Sequence, residues 1–216
     1  MGAKKWGEGL NIIWAYTMVV NISQTNDQKP LICILNVIIM EKFKNKFRND
    51  TIRAPFWNYG WAAHYFITIC THEHKCWFGD VLEGKIVLSE IGEIVNDEWL
   101  KTFDLRPDMN LIKGEFVVMP NHFHALIGIG HNEYNTKCTP KNHDKPMNQF
   151  GPQSKNLPSI VRGFKMAVTK NARYIEPDFK WQPLYYDRIV RNEKSHQRIT
   201  QYILNNPRKW IGKGGH

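Results

Sequence analysis

The sequence predicts an α+β fold: a ferredoxin-like split βαβ sandwich, whose antiparallel sheet carries helices on one face, with a further helix at the C-terminus. Three observations carry this. Segments rich in β-branched and aromatic residues alternate with segments of helical periodicity in the order β-α-β-β-α-β-α, once an early hairpin is set aside. A length of 216 residues suits one domain with appendages. At 42% hydrophobic and 12% aromatic, the chain has the apolar side chains for a packed core, which excludes wholesale disorder.

Residues 1–39 hold neither a period of 3.6 nor a period of 2, and residues 24–30 are a polar break. They are predicted to be an N-terminal extension outside the domain, with Met40 as the functional start and 40–216 as a single domain; a helical arm packed on that domain is the other reading. Residues 62–71 then read as a buried strand. Segments 77–81 and 85–88 flank Leu82-Glu83-Gly84, a turn signal, and read as a hairpin. Ser89 is placed to cap a helix running through Leu100, with Ile91, Ile94, Val95 and Trp99 on one face. Two strands, 111–119 and 123–129, are joined at Pro120-Asn121. Residues 131–156 are rich in Lys, Asn, Pro and Gln and are expected to form a flexible loop. A helix follows from Pro158-Ser159 to about Ile175, with Ile160, Val161, Phe164, Met166 and Val168 on its apolar side. Residues 181–190 are the next strand, and a last helix runs from about Glu193 to Asn206, where Pro207 stops it.

The formal charge of +9 points to a polyanionic partner, nucleic acid or an acidic membrane surface. Only Lys4, Lys5 and Lys29 against Glu8 and Asp27 fall in residues 1–39, so +8 belongs to the domain. The apolar runs 10–20 and 31–40 are each about half of the ~20 residues a bilayer span needs, which argues against a membrane role. Cys33, Cys70, Cys76 and Cys138 are too few and too irregular for a disulfide scaffold, and a cytoplasmic location is expected.

The sharpest chemical signal is Met119-Pro120-Asn121-His122-Phe123-His124. Residues two apart on a strand share a face, so His122 and His124 would project together while Phe123 enters the core. Such a pair can be the start of a metal site or simply two polar residues on a solvent face. The second signal is Tyr202-Ile203-Leu204-Asn205-Asn206-Pro207, in which Tyr202 and Asn206 share one helical face. Together the two signals could assemble a site for a divalent metal, Mg²⁺ or Mn²⁺, on His122, His124 and the Asn206 side-chain oxygen, beside a phenolic nucleophile.

These residues resemble the REP-associated tyrosine transposases, within the single-tyrosine HUH superfamily. The resemblance spans about residues 40–210 and rests on segments 65–71, 77–79, 119–124 and 189–192, on Phe164-Lys165 and Trp181-Gln182, and on the 202–207 motif. It implies that His122 and His124 are the HUH histidines, Asn206 the third metal ligand and Tyr202 the nucleophile. It implies metal-dependent cleavage and rejoining of single-stranded or hairpin DNA, drawn from palindromic repeat elements, through a 5′-phosphotyrosine. Two other readings remain: an HUH nuclease of replication-initiator or relaxase type, and a non-catalytic binder of DNA hairpins. A monomer and a homodimer that exchanges last helices both fit.

The basic residues then have a candidate partner. Arg48 and Arg53 lie in a basic arm, Arg162 and Lys165 on the penultimate helix, and Arg188, Arg191 and Arg198 near Tyr202. Trp57, Tyr59 and Trp61 suit either base stacking or core packing. Cys70, His72, His74 and Cys76 share strand parity and mimic a Zn²⁺ set, but on a flat strand the outer two would lie ~20 Å apart. A bend at Glu73 could bring them together, but the resemblance does not call for these residues, and the constellation reads as a decoy. Tyr185 and Tyr186 are rival nucleophiles without a ligand at helical spacing.

Overall fold

The computed structural model describes residues 57–136 and 154–210. The expectations for residues 1–39, for the arm bearing Arg48 and Arg53, and for the middle of the 131–156 loop lie outside the described residues.

The described elements are β1 (Ala63–Cys70), β2 (Gly79–Leu82), β3 (Lys85–Leu88), α1 (Glu90–Asp104), β4 (Leu111–Met119), β5 (His122–Ile129), α2 (Leu157–Ala172), β6 (Tyr186–Val190) and α3 (Glu193–Asn205). Four strands form one antiparallel sheet in the order β4-β5-β1-β6, while β2 and β3 pair separately. This is the α+β split βαβ arrangement that the element order predicts. The register sets Cys70 opposite His122 and Thr68 opposite His124. Side-chain parity then divides the sheet into two faces. Tyr65, Ile67, Ile69, Phe123, Ala125 and Ile127 pack with Trp99 of α1 and Phe164 of α2 in the main core. Phe66 and Leu126 pack on the other face with Ile199 and Ile203 of α3. The helix bearing Tyr202 is therefore seated on the face to which His122 and His124 belong.

Local chemistry explains where the elements begin and end. Ser89 caps α1 by accepting from Gly92 N–H, and the helix continues to Asp104, beyond the expected Leu100, until Arg106-Pro107 ends it. Asn156 caps α2 in a reciprocal pair with Ser159, so the helix begins at Leu157, and it ends at Ala172, short of the expected Ile175. Met166 is 66% exposed, contrary to expectation. The buried residues Ile160, Phe164, Val168 and Ala172 recur every fourth position, and Met166 lies half a turn away from that stripe. The strand expected from Trp181 starts only at Tyr186, because Pro183 has no N–H and Leu184 sits at φ 65°. Trp181 keeps one isolated bridge to Thr71. Trp61 and Tyr59 are buried, and Trp57 donates to the Tyr65 hydroxyl at 3.1 Å, so core packing rather than base stacking occupies these rings.

The described ends of the 131–156 segment are held in place. Asn135, buried, donates to the carbonyls of Gly60 and Gly130, and Asp108 accepts from both Tyr134 and Lys155. Gly92 marks the tightest contact between α1 and its surroundings. A Cβ there would lie 2.1 Å from the Phe78 carbonyl oxygen, which is backbone and cannot swing aside. Gly92→Ala is expected to cost about 2–3 kcal/mol of stability, read as a lower urea midpoint.

Candidate functional site

Strand β5 and helix α3 each contribute two of the four residues singled out from the sequence, with Asn206 at the helix's end. His124 is 2% exposed, and His122 is partly exposed at the strand's start. Their rings lie 4.6 Å apart between centroids. On α3, Ile199 and Ile203 face the sheet and fix the helix's rotation, which turns Tyr202 toward β5. The Tyr202 hydroxyl comes to 3.3 Å from His124 Nε2. One turn on, the Asn206 side chain comes within interacting reach of both His122 and Tyr202. All four residues thus converge from segments of the chain 78 residues apart.

Burial controls the electrostatics. Desolvation pushes the His122 pKa down to about 4, with a smaller push from the nearby His74, against an opposing hydrogen bond from Asn206. His124 is held well below its ordinary value by burial and then by His122. Both rings are therefore neutral near pH 7 and keep a lone pair to donate. Burial raises the Tyr202 phenol above its ordinary value, while Asn206 pulls it back.

Two neutral imidazoles and an amide oxygen suit a divalent cation such as Mn²⁺ or Mg²⁺. Among the described residues no group of three or more His, Cys, Asp or Glu could hold a metal, and a third donor beside His122 and His124 would be of another kind. Asn206 is that kind, and the donor set fits. Cys70 to Cys76 do not form the flat strand on which the decoy reading rested, and among the described residues they make no group of three or more metal-binding side chains. The chain leaves the strand after Cys70 and folds into a 3₁₀ turn at His72–His74, with Glu73 and His74 both in left-handed conformations.

Sequence reasoning missed three neighbours of the histidines. Thr68 Oγ1 lies 2.8 Å from His124 Nδ1, and Asn121 Oδ1 lies 2.7 Å from His122 Nδ1. Trp210 sits with its ring 5.9 Å from that of His122. Thr68 is visible only once the β1–β5 register is known. Asn121 stands inside the histidine motif, where the sequence alone signals only a turn.

The basic residues divide between the two faces. Arg188 lies opposite Phe66 in β6 and so shares the histidine face, with Arg191 and Arg198 exposed on the strand's end and on α3. Arg162 is exposed on α2, across the sheet. Lys165 is drawn inward, where its ammonium donates to the carbonyls of Gln182 and Leu184 and stands over the Trp181 ring. Burial lowers its pKa to about 8. Among the described residues no helix is long and apolar enough to cross a membrane.

No family model matches the chain. An uncharacterized protein of Haemophilus influenzae is 36% identical over 167 residues, covering 74% of this chain and 88% of that protein. The structure of a REP-associated tyrosine transposase bound to a REP hairpin superposes with a TM-score of 0.50, at 16% identity, over 76% of each chain. At that identity the likeness is one of fold.

Proposed function

The chain belongs to the family of the Haemophilus influenzae protein, and we propose that it is a metal-dependent tyrosine transposase that cleaves and rejoins single-stranded or hairpin DNA. The observation that carries this reading is the convergence of Tyr202 Oη on His124 Nε2 at 3.3 Å, with the Asn206 side chain beside Tyr202 and His122. An ordinary half-buried tyrosine would have no need of two desolvated histidines and an amide around its hydroxyl. The fold shared with a REP-associated tyrosine transposase bound to a REP hairpin is consistent with hairpin DNA as the substrate class.

His122, His124 and Asn206 would hold the metal, which when bound supplies charge to a phosphodiester oxygen. The chain's own residues do the rest. Ile199, Ile203 and Phe66 hold α3 so that the phenol approaches one side of that centre. Tyr202 Oη attacks phosphorus, the Oη–P bond forms, and the bond from phosphorus to the 3′ oxygen breaks. The phenol gives up its proton and the departing 3′ oxygen gains one, leaving a 5′-phosphotyrosine and a free 3′-hydroxyl. Attack by another 3′-hydroxyl reverses the step, so no external energy source is consumed. Arg188, Arg191 and Arg198 flank the same face and would bind phosphates. Arg162 and Lys165 belong to a different setting, and Lys165 has two of its three donors committed to backbone carbonyls.

Incubation with Mn²⁺ and single-stranded hairpin DNA is expected to give an SDS-resistant protein–DNA adduct and a shortened product ending in a 3′-hydroxyl. Tight hairpin binding with no adduct under any divalent metal would reject catalysis. Binding is expected to weaken steeply with salt, by roughly tenfold or more between about 50 and 200 mM if several phosphates are contacted. Filter binding across that range measures it.

A further inference from the structure

The turn between β4 and β5 does more than reverse the chain. Asn121 Nδ2 donates to the main-chain carbonyl of His74 at 3.2 Å, while its Oδ1 lies 2.7 Å from His122 Nδ1. We infer that Asn121, oriented by the His74 carbonyl, holds His122 in the tautomer that carries its proton on Nδ1 and leaves the Nε2 lone pair bare.

Donors and acceptors decide which way each group faces. A carboxamide has one donating end and one accepting end, and a backbone carbonyl can only accept. The end of Asn121 that faces His74 is therefore the amino group. The end that faces His122 is then the oxygen, which also only accepts, so His122 Nδ1 must donate. A neutral imidazole has a single N–H, which leaves Nε2 unprotonated. For Asn121 and a neutral His122, every other arrangement sets two acceptors against each other, at His122 or at His74; the Asn206 amide, also beside this ring, can meet an unprotonated Nε2 with its amino end.

The surroundings hold this relay still. Thr71 N–H donates to the Asn121 carbonyl at 3.0 Å, and the buried Thr71 hydroxyl sits between the carbonyls of Lys75 and Asn121, at 2.7 and 2.9 Å. Phe78 N–H donates to the Pro120 carbonyl at 3.0 Å. The Thr71–Lys75 segment is thus stitched to the turn that precedes His122. Its left-handed pair, Glu73 at φ 55° and His74 at φ 53°, is a costly conformation for residues other than glycine. Here it presents the His74 carbonyl to Asn121. The sequence that imitates a zinc set is a brace for a histidine tautomer.

Asn121 is a positioning residue, acting through His122. The tautomer stands by itself, whereas its use as a metal donor rests on the function proposed above. The test is a long-range ¹H–¹⁵N correlation spectrum of the full chain labelled at histidine, without metal or DNA. Wild type is expected to show His122 with a proton-bound Nδ1 and a lone-pair Nε2. Asn121→Asp keeps an acceptor at Nδ1 and is expected to keep that tautomer. Asn121→Leu removes the acceptor, and the form protonated on Nε2 is expected to appear, with Mn²⁺ affinity by calorimetry falling about 10–100-fold. A wild-type ring protonated on Nε2, or an Asn121→Leu spectrum unchanged from wild type, would overturn the inference. The stated tautomer in a wild-type chain that fails to bind Mn²⁺ would support the relay and reject the metal-dependent function.

Discussion

Tyr202→Phe is expected to eliminate the covalent protein–DNA adduct while leaving the fold and hairpin binding in place. The substitution removes one oxygen and little else. The ring keeps its edge-on packing against Phe66, with centroids 6.0 Å apart, and its contact with His124 at 5.3 Å. What is lost is the hydroxyl that reaches His124 Nε2 at 3.3 Å and lies beside Asn206. A half-buried hydroxyl of this kind contributes about 1 kcal/mol to stability, too little to unfold a domain. On the proposed mechanism its chemical contribution is total, because no oxygen would remain to attack phosphorus. A gel of wild type and variant with Mn²⁺ and labelled hairpin DNA separates these effects. An adduct persisting in Tyr202→Phe would move the nucleophile elsewhere.

Trp99→Ala is expected to lower stability by about 3–5 kcal/mol, the range for deleting a fully buried aromatic ring. Trp99 is fully buried and packs edge-to-face on Phe103, Phe123 and Phe164, at 5.6, 5.0 and 5.2 Å. It joins α1 and α2 to the sheet at a single point. That point matters for the site, because Phe123 stands between His122 and His124 and faces the opposite way. A hole behind Phe123 loosens the strand segment that aims both imidazoles. The urea midpoint measures the first effect. The adduct yield, scored under conditions where the variant is folded, measures the second. A stability loss below about 1 kcal/mol would mean that the core can collapse around the missing indole.

Much of the fold and the site was legible in the sequence, for reasons that can be named. The β1, β4 and β5 segments are rich in β-branched and aromatic residues, and α1 and α2 follow the 3.6 period, so the order of elements could be read directly. Phe123 between two histidines declared which face was core. Tyr202 and Asn206, four apart, declared one face of α3, whereas Ile199 and Ile203, which seat that helix on the sheet, were not singled out in the sequence. The errors came where local pattern yields to backbone chemistry. Met166 looked like part of an apolar stripe, but its angular position puts it in solvent. Residues 181–185 looked like strand, but Pro183 and the left-handed Leu184 delay pairing until Tyr186. Lys165 looked like a surface cation, yet the fold turns it onto the Gln182 and Leu184 carbonyls. The partners of the histidines were hidden for a different reason. Thr68 meets His124 across 56 residues and Asn121 meets His74 across 47, and only the register and the turns create those contacts.

The central claim is that a DNA phosphate becomes bonded to Tyr202. The most direct measurement is peptide mapping by mass spectrometry of the SDS-resistant adduct, after nuclease trimming to a single nucleotide. The expected result is a nucleotide mass on the peptide that contains Tyr202, with fragmentation placing it on that side chain. A nucleotide on Tyr185 or Tyr186, or on any residue outside α3, would contradict it.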